Sequence, residues 1–328
     1  MSTYKKIFVI LSLILVSCSW MPKSRSFHIN YSVDILPTEA KEIKLWLPIP
    51  QSDNVQEISN MRIDFTGKYE IKTERIHNNK YLFTKLQGPI KQKIPISIGF
   101  SVKRNRRADI QNDNSDSELY LKANLSVPVG GRFAEILQNE NITGNDIETV
   151  GKIYDYILDS MEYGKPKKAN DNYAQKFPKA YEKYLAGEGW GRGDSDYACD
   201  IGVGNCTDYH SLFNSLVRTN KVPARFKIGF PVPENTSGEI KGYHCWTEFL
   251  FENEGWIPVD ISEADKHPEL RDFYFGNLDE NRITISKGRD LMLEECSKNP
   301  INFFVYPILE EDKVITDNYI KKVTFSDK

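Results

Sequence analysis

Between residues 27 and 102 apolar side chains recur at every second position in a series of short runs, and a chain patterned this way has to form sheets. Phe27-His28-Ile29-Asn30-Tyr31-Ser32-Val33 alternates, and so does Glu42-Ile43-Lys44-Leu45-Trp46-Leu47, which Pro48 closes. Further runs cover 61–65, 69–73, 81–84 and 94–102. Short alternating strands separated by turns predict a β-sandwich over residues 26–122. Residues 103–118 are polar and read as a linker or a long exposed loop.

Beyond residue 123 the period changes. Asp146 can cap a helix whose Ile147, Val150, Ile153, Tyr154, Ile157, Leu158 and Met161 share one face. A shorter helix is expected over 178–186. Residues 187–205 are different: Gly187, Gly189, Gly191, Gly193, Gly202 and Gly204 crowd one stretch that reads as irregular, interleaved with Trp190, Tyr197 and Cys199. The stretch lacks the Lys of a phosphate loop, so nucleotide binding is not inferred. It runs into Cys206, which falls in the first turn of a helix with Leu212, Phe213, Leu216 and Val217 on its apolar face. Strands are expected next at 225–230, 243–251 and 256–260, and later at 283–285, 303–306 and 323–325. The chain has 328 residues, enough for two packed domains, and its net charge of −3 without a basic face argues against nucleic acid as a partner.

The first residues read as an export signal. Lys5 and Lys6 precede an apolar run from Ile7 to Val16 that is too short to span a bilayer. The run ends in Leu15-Val16-Ser17-Cys18, which resembles a bacterial lipobox. Residues 1–18 are therefore expected to be a lipoprotein signal, with Cys18 as the lipidated residue that anchors the chain to a membrane in the periplasm or at the outer membrane.

Cys206 carries the chemistry. A nucleophilic thiol needs a depressed pKa, a base, and a group that orients the base. The free amides of a helix's first turn favour a thiolate and can donate to an oxyanion. The competing reading is a buried, inert thiol. Two histidines could serve as base. His210 lies one helical turn beyond Cys206. His244 sits in a strand whose alternation places His244, Trp246 and Glu248 on one face and Cys245 on the other. The following strand ends in Asp260, so a hairpin can bring a carboxylate to His244, and His210 has no such partner in view. His28, His77 and His267 lack a supporting pattern.

These residues also carry a family resemblance. Gly204-Asn205-Cys206-Thr207-Asp208, Val222-Pro223-Ala224-Arg225, His244-Cys245-Trp246-Thr247-Glu248 and Gly255-Trp256-Ile257-Pro258-Val259-Asp260 together resemble the transglutaminase-like superfamily, in the same order. The resemblance implies an α+β, papain-like core over 123–328, with a C-terminal β extension, in which a helix bearing the Cys packs on an antiparallel sheet. It implies Cys206 as nucleophile, His244 as general base, Asp260 as third member, and thioester chemistry on an amide carbonyl; the expected periplasmic position adds peptides, envelope proteins or peptidoglycan stems as substrates, and no cofactor is expected. Trp190 and Tyr197 are candidate oxyanion donors. Three other readings stay open. A metal could be held among Cys199, Cys206, His210, His244 and Cys245, although their spacing is unlike a zinc site. The domain could be a silent scaffold of the cell envelope. Asp208 and Arg225 could bind substrate, with a structural ion pair as the plainer role for Arg225.

Overall fold

The computed structural model describes residues 24–106, 116–166, 175 and 177–328; the signal and the expected lipidation site at Cys18 lie outside them. The alternating runs become two five-stranded sheets. One has Ser24–Ile35 at its centre, flanked by Ile94–Asn105 and Tyr319–Asp327, with Gln56–Asp64 and Ser237–Glu239 at the edges. The other has Glu42–Ile49 between Lys80–Gln87 and Ile308–Glu311, with Glu70–Thr73 and Val314–Thr316 outermost. The inward side chains (Phe27, Ile29, Tyr31 and Val33 from one sheet; Ile43, Leu45 and Leu47 from the other) are fully buried in a common core. Alternation along each strand puts every second residue into that core.

The sandwich departs from the expected 26–122 unit. Its sheets take strands far apart in the chain: Tyr319–Asp327 pairs antiparallel with Ser24–Ile35 over nine residues, Phe27 opposite Asp327 and Ile35 opposite Tyr319. Ile308–Glu311 pairs with the strand bearing Trp46. The C-terminal β extension therefore belongs to the sandwich and not to the Cys206 unit. No single window of sequence reveals this, because the pairing partner lies about 300 residues away.

The second unit is an antiparallel four-stranded sheet, ordered Gly255–Val259, His244–Phe251, Ala224–Pro231, Arg282–Lys287. Against one face lies the helix Cys206–Thr219, buried along nearly its whole length. Ile147–Ser160, capped by the Asp146 carboxylate on the Thr149 amide, covers that helix from outside, with Val150, Ile153 and Ile157 turned in. The expected strand at 303–306 does not form. Those residues instead run as a covered loop whose Phe303 and Tyr306 pack on Phe226 and Phe230, while Val305 accepts a hydrogen bond from the Tyr31 hydroxyl. Four consecutive apolar residues have the composition of a strand, but aromatic contacts on several sides hold them. The stretch 187–205 is likewise not irregular throughout: Ser195–Ile201 is a helix capped by the Asp194 carboxylate on the Tyr197 amide.

Candidate active site

The glycine-rich stretch is shaped by what lies beneath it. Gly193 adopts a left-handed conformation (φ 64°), and a Cβ there would stand 2.6 Å from Ser211 Oγ and 2.9 Å from an Arg289 amino group. Only glycine allows the backbone this close to the Cys206 helix. The buried Asp208 carboxylate gathers the stretch, accepting from the Gly191, Gly193 and Asn205 amides at 2.9–3.0 Å. Asn205 caps the helix in return by accepting from the Thr207 amide, closing a capping box. Buried Arg289 pins the stretch from the side through the Gly193 and Arg192 carbonyls. Asp208 therefore holds the backbone that delivers Cys206.

Cys206 takes the first helical position, where the backbone N–H has no acceptor within the helix. The residue is 3% exposed. A hydrogen bond from Cys245 holds the Cys206 thiol well below its usual range; burial opposes this, and the hydrogen bond and charge of His244 add to it. Cys245 itself is pushed well up by burial and by the neighbouring Cys206, so it remains a protonated donor. Strand alternation does separate the Cys245 and His244 side chains, and both still reach Cys206.

His244 Nε2 donates to Asp260 Oδ2 at 2.6 Å, which leaves Nδ1 for Cys206. Burial alone would lower the imidazole pKa. The Asp260 charge and hydrogen bond, with the Cys206 thiolate, instead push it up to about 10. The two shifts run in the directions that favour a thiolate–imidazolium pair. Asp260 is wholly buried and held well below the carboxylate range, its burial outweighed by the charges of His244 and Arg282. Its Oδ1 accepts from Ser262 Oγ at 3.0 Å and from the Glu263 amide at 3.1 Å, and its Oδ2 from Arg282 at 2.6 Å. Arg282 is bound on its other side to Asp279 and lies over the Trp246 ring. No motif announced Arg282 or Ser262. The nearest signal is that a buried carboxylate needs compensating donors.

His210 is close but committed elsewhere. Its Nδ1 donates to the Cys206 carbonyl at 2.7 Å, its Nε2 accepts from the Ile261 amide at 3.1 Å, and burial lowers its pKa. Both ring nitrogens are spent, so it cannot exchange a proton with the thiol. It ties the Cys206 helix to the turn that begins at Asp260.

The proposed oxyanion donors are displaced. Trp190 has one N–H, and it donates to the Gly164 carbonyl at 2.6 Å. Tyr197 packs with Ala180, Ile201 and Val203 in a cluster separate from Cys206. Aromatic type and closeness in sequence suggested both, but the Ser195–Ile201 helix turns Tyr197 away. The aromatic groups near Cys206 are instead Tyr243, which bonds to Asn205 and Thr207, and Tyr163, whose phenols are raised first by burial and then by the Cys206 charge. A cleft of about 490 Å³ opens on His244, walled by Tyr163, Tyr243, Phe273 and Tyr274 with Glu263 and Lys266 at its edge. The four remaining cysteines are unpaired, and Cys199 accepts from Arg132 at 3.2 Å.

A thiol at a helix N-terminus, facing a sheet that carries an imidazole–carboxylate pair, defines a transglutaminase-like, papain-type core. Residues 137–261 match the model of the Transglutaminase-like superfamily. A relative from Haemophilus influenzae with no assigned function is 25% identical over 87% of this chain and 85% of its own length. The structure of a candidate cysteine protease from Cytophaga hutchinsonii shares the fold at 12% identity, with a TM-score of 0.55 across 93% of this chain and 98% of that one. The periplasmic domain of TgpA from Pseudomonas aeruginosa aligns over 74% of this chain and 72% of its own, with 14% identity and a TM-score of 0.40.

Proposed function

We propose that the chain is a cysteine-dependent acyl-transfer enzyme acting on amide bonds of peptides or proteins. The observation that carries this reading is the buried contact of His244 with Asp260 at 2.6 Å, with the ring's other nitrogen turned to a depressed Cys206 thiol. In this reading the Cys206 thiolate attacks the amide carbonyl and the Cys206 backbone N–H donates to the resulting oxyanion. The C–N bond breaks, and His244 Nδ1 gives its proton to the leaving amine. The thioester then passes its acyl group to water, giving a peptidase or deamidase, or to an amine, giving a transglutaminase. Asp260 keeps Nε2 protonated and so fixes the tautomer in which Nδ1 works.

We place the enzyme at the cell envelope, tethered by a lipid on Cys18 after removal of residues 1–17, with envelope peptides, proteins or peptidoglycan stems as substrates. The sequence pattern at residues 5–18 supports the tether. Incubation of the purified chain with envelope extract, followed by mass spectrometry of the Cys206 peptide, tests the reaction. A thioester adduct that is lost in Cys206→Ala and accumulates when deacylation is slowed is expected. No adduct, with Cys206 labelling no faster than a free thiol in a folded protein, would leave a silent scaffold as the better reading.

A further inference from the structure

The four-stranded sheet carries a second cavity, also of about 490 Å³, between Arg225, Lys227, Thr284 and Ser286 of the sheet and the sandwich loop holding Asp53. It opens on the face that bears His244. Glu248, the partner of Arg225, lies four residues along the same strand from His244, about 13 Å at strand rise. Between the two cavities stands Trp246, its ring flanked by the guanidinium groups of Arg282 at 5.2 Å and Arg104 at 5.7 Å.

Most polar groups around this cavity are spent. Lys227 Nζ is shared by Asp53 at 3.1 Å and Glu248 at 2.9 Å. Asn79 uses both ends of its amide on the Lys287 backbone. Ser286 Oγ donates to the Phe304 carbonyl. Arg225 is spent on one edge only. Its side chain is 9% exposed, its Nε donates to Glu248 Oε2 at 2.7 Å, and its guanidinium carbon sits 3.9 Å from the centre of the Trp256 ring. The two terminal amino groups have no hydrogen-bond partner among the described residues. One edge is anchored, one face is stacked, and the forked edge is left for the cavity. The forked edge faces the cavity, and its geometry fits a two-oxygen anion.

We propose that this cavity is a binding site for a small carboxylate-bearing ligand, held two-pronged by Arg225 with its body against Trp256 and the polar wall. Glu248 and Asp53 already balance Arg225 and Lys227, so a singly charged carboxylate suits the site better than a phosphate. The site does not depend on the chemistry at Cys206. Carboxylates of this kind occur on uronic sugars and at peptide C-termini, and the two sources can be told apart.

The test is calorimetric titration of the full chain with D-glucuronate, N-acetyl-L-alanine and inorganic phosphate, against the uncharged D-glucose and N-acetyl-L-alanine amide. One carboxylate probe is expected to bind one-to-one, with its uncharged counterpart and the Arg225→Lys variant each weaker by about tenfold or more, since Lys keeps the charge and loses the fork. Binding should also quench tryptophan emission, and Trp256→Phe should remove that change. Because Arg225→Gln leaves Glu248 with Lys227 as its one remaining cation partner among the described residues, the paired variant Arg225→Gln/Glu248→Gln checks that lost binding occurs in a folded chain. No saturable carboxylate binding, equal affinity in Arg225→Lys, or binding of phosphate alone would each overturn the proposal.

Discussion

Four imidazole nitrogens surround Cys206 and Asp260, and only His244 Nδ1 is placed to exchange a proton with the thiol. The pH behaviour follows from the direction of the shifts. His244 is raised from the usual 6.5 to about 10, so its contribution to stability is complete below about 6.5 and lost as pH rises through about 10. Cys206 is lowered, so its contribution is present above the ordinary thiol range and lost as pH falls through its depressed value. Iodoacetamide labelling of Cys206 is therefore expected to be nearly constant between about pH 7 and pH 9, where an ordinary thiol rises steeply. In His244→Ala the profile should shift toward that rise, with the Cys245 hydrogen bond still holding part of the depression; a wild-type profile that already climbs like a free thiol would contradict the ion pair. Asp260→Asn keeps the shape, removes the charge, and leaves Arg282 buried with only Asp279. Acyl-enzyme formation should fall by about 10²–10⁴-fold through loss of the tautomer. Stability should drop by about 3–5 kcal/mol as for a broken buried pair, measured by mass-spectrometric trapping and denaturant unfolding respectively.

At the scale of elements, the site is a helix N-terminus held against a strand end by loops on both sides. The glycine-rich stretch sits on the Cys206 helix through Asp208 and Arg289, and His210 joins that helix to the turn after Asp260. Gly193→Ala would force a Cβ into Ser211 and Arg289 at a positive φ. A loss of about 1–3 kcal/mol in unfolding free energy is expected, together with slower Cys206 labelling as the helix start shifts. Unchanged labelling with reduced stability would mean that the stretch supports the fold without setting the position of the thiol. Trp190 and Tyr197 belong to this scale as well. They lie near Cys206 in sequence, but Tyr197 sits on the Ser195–Ile201 helix, which packs it with Ala180, Ile201 and Val203, and Trp190 is held by the Gly164 carbonyl. A run of glycines hides such a helix, because its cap, Asp194, is one polar residue among several.

At the scale of the molecule, sandwich and sheet share one core. Phe226, Ile228, Phe230, Cys245 and Cys206 lie in the same buried cluster as Phe27, Tyr31, Phe100 and Phe325. A fragment limited to residues 123–328 would expose that surface and leave its last strand without the Ser24–Ile35 partner. Removing residues 308–328 would bare the edges of both sandwich sheets. Both truncations are expected to aggregate or to lose the near-ultraviolet dichroism of fixed aromatics; a soluble, cooperatively unfolding 123–328 fragment would refute the shared core. Local pattern determined much of this protein. Period-two runs located the strands around Tyr31, Trp46 and Ile98. Period 3.6 located the helices after Asp146 and at Cys206. The ordered Cys, His and Asp motifs marked the transglutaminase-like segment. These signals are legible because each depends on residues a few positions apart. The tertiary structure alone decided that the strands Ser24–Ile35 and Tyr319–Asp327 pair in one sandwich, that His210 is spent on the Cys206 and Ile261 backbone, that Arg282 and Ser262 hold Asp260, and that Arg225 turns toward a cavity a forked edge with no partner among the described residues. Each of those depends on groups brought together across long separations, where packing and the need to satisfy buried polar atoms act and a window of sequence carries no record of the partner.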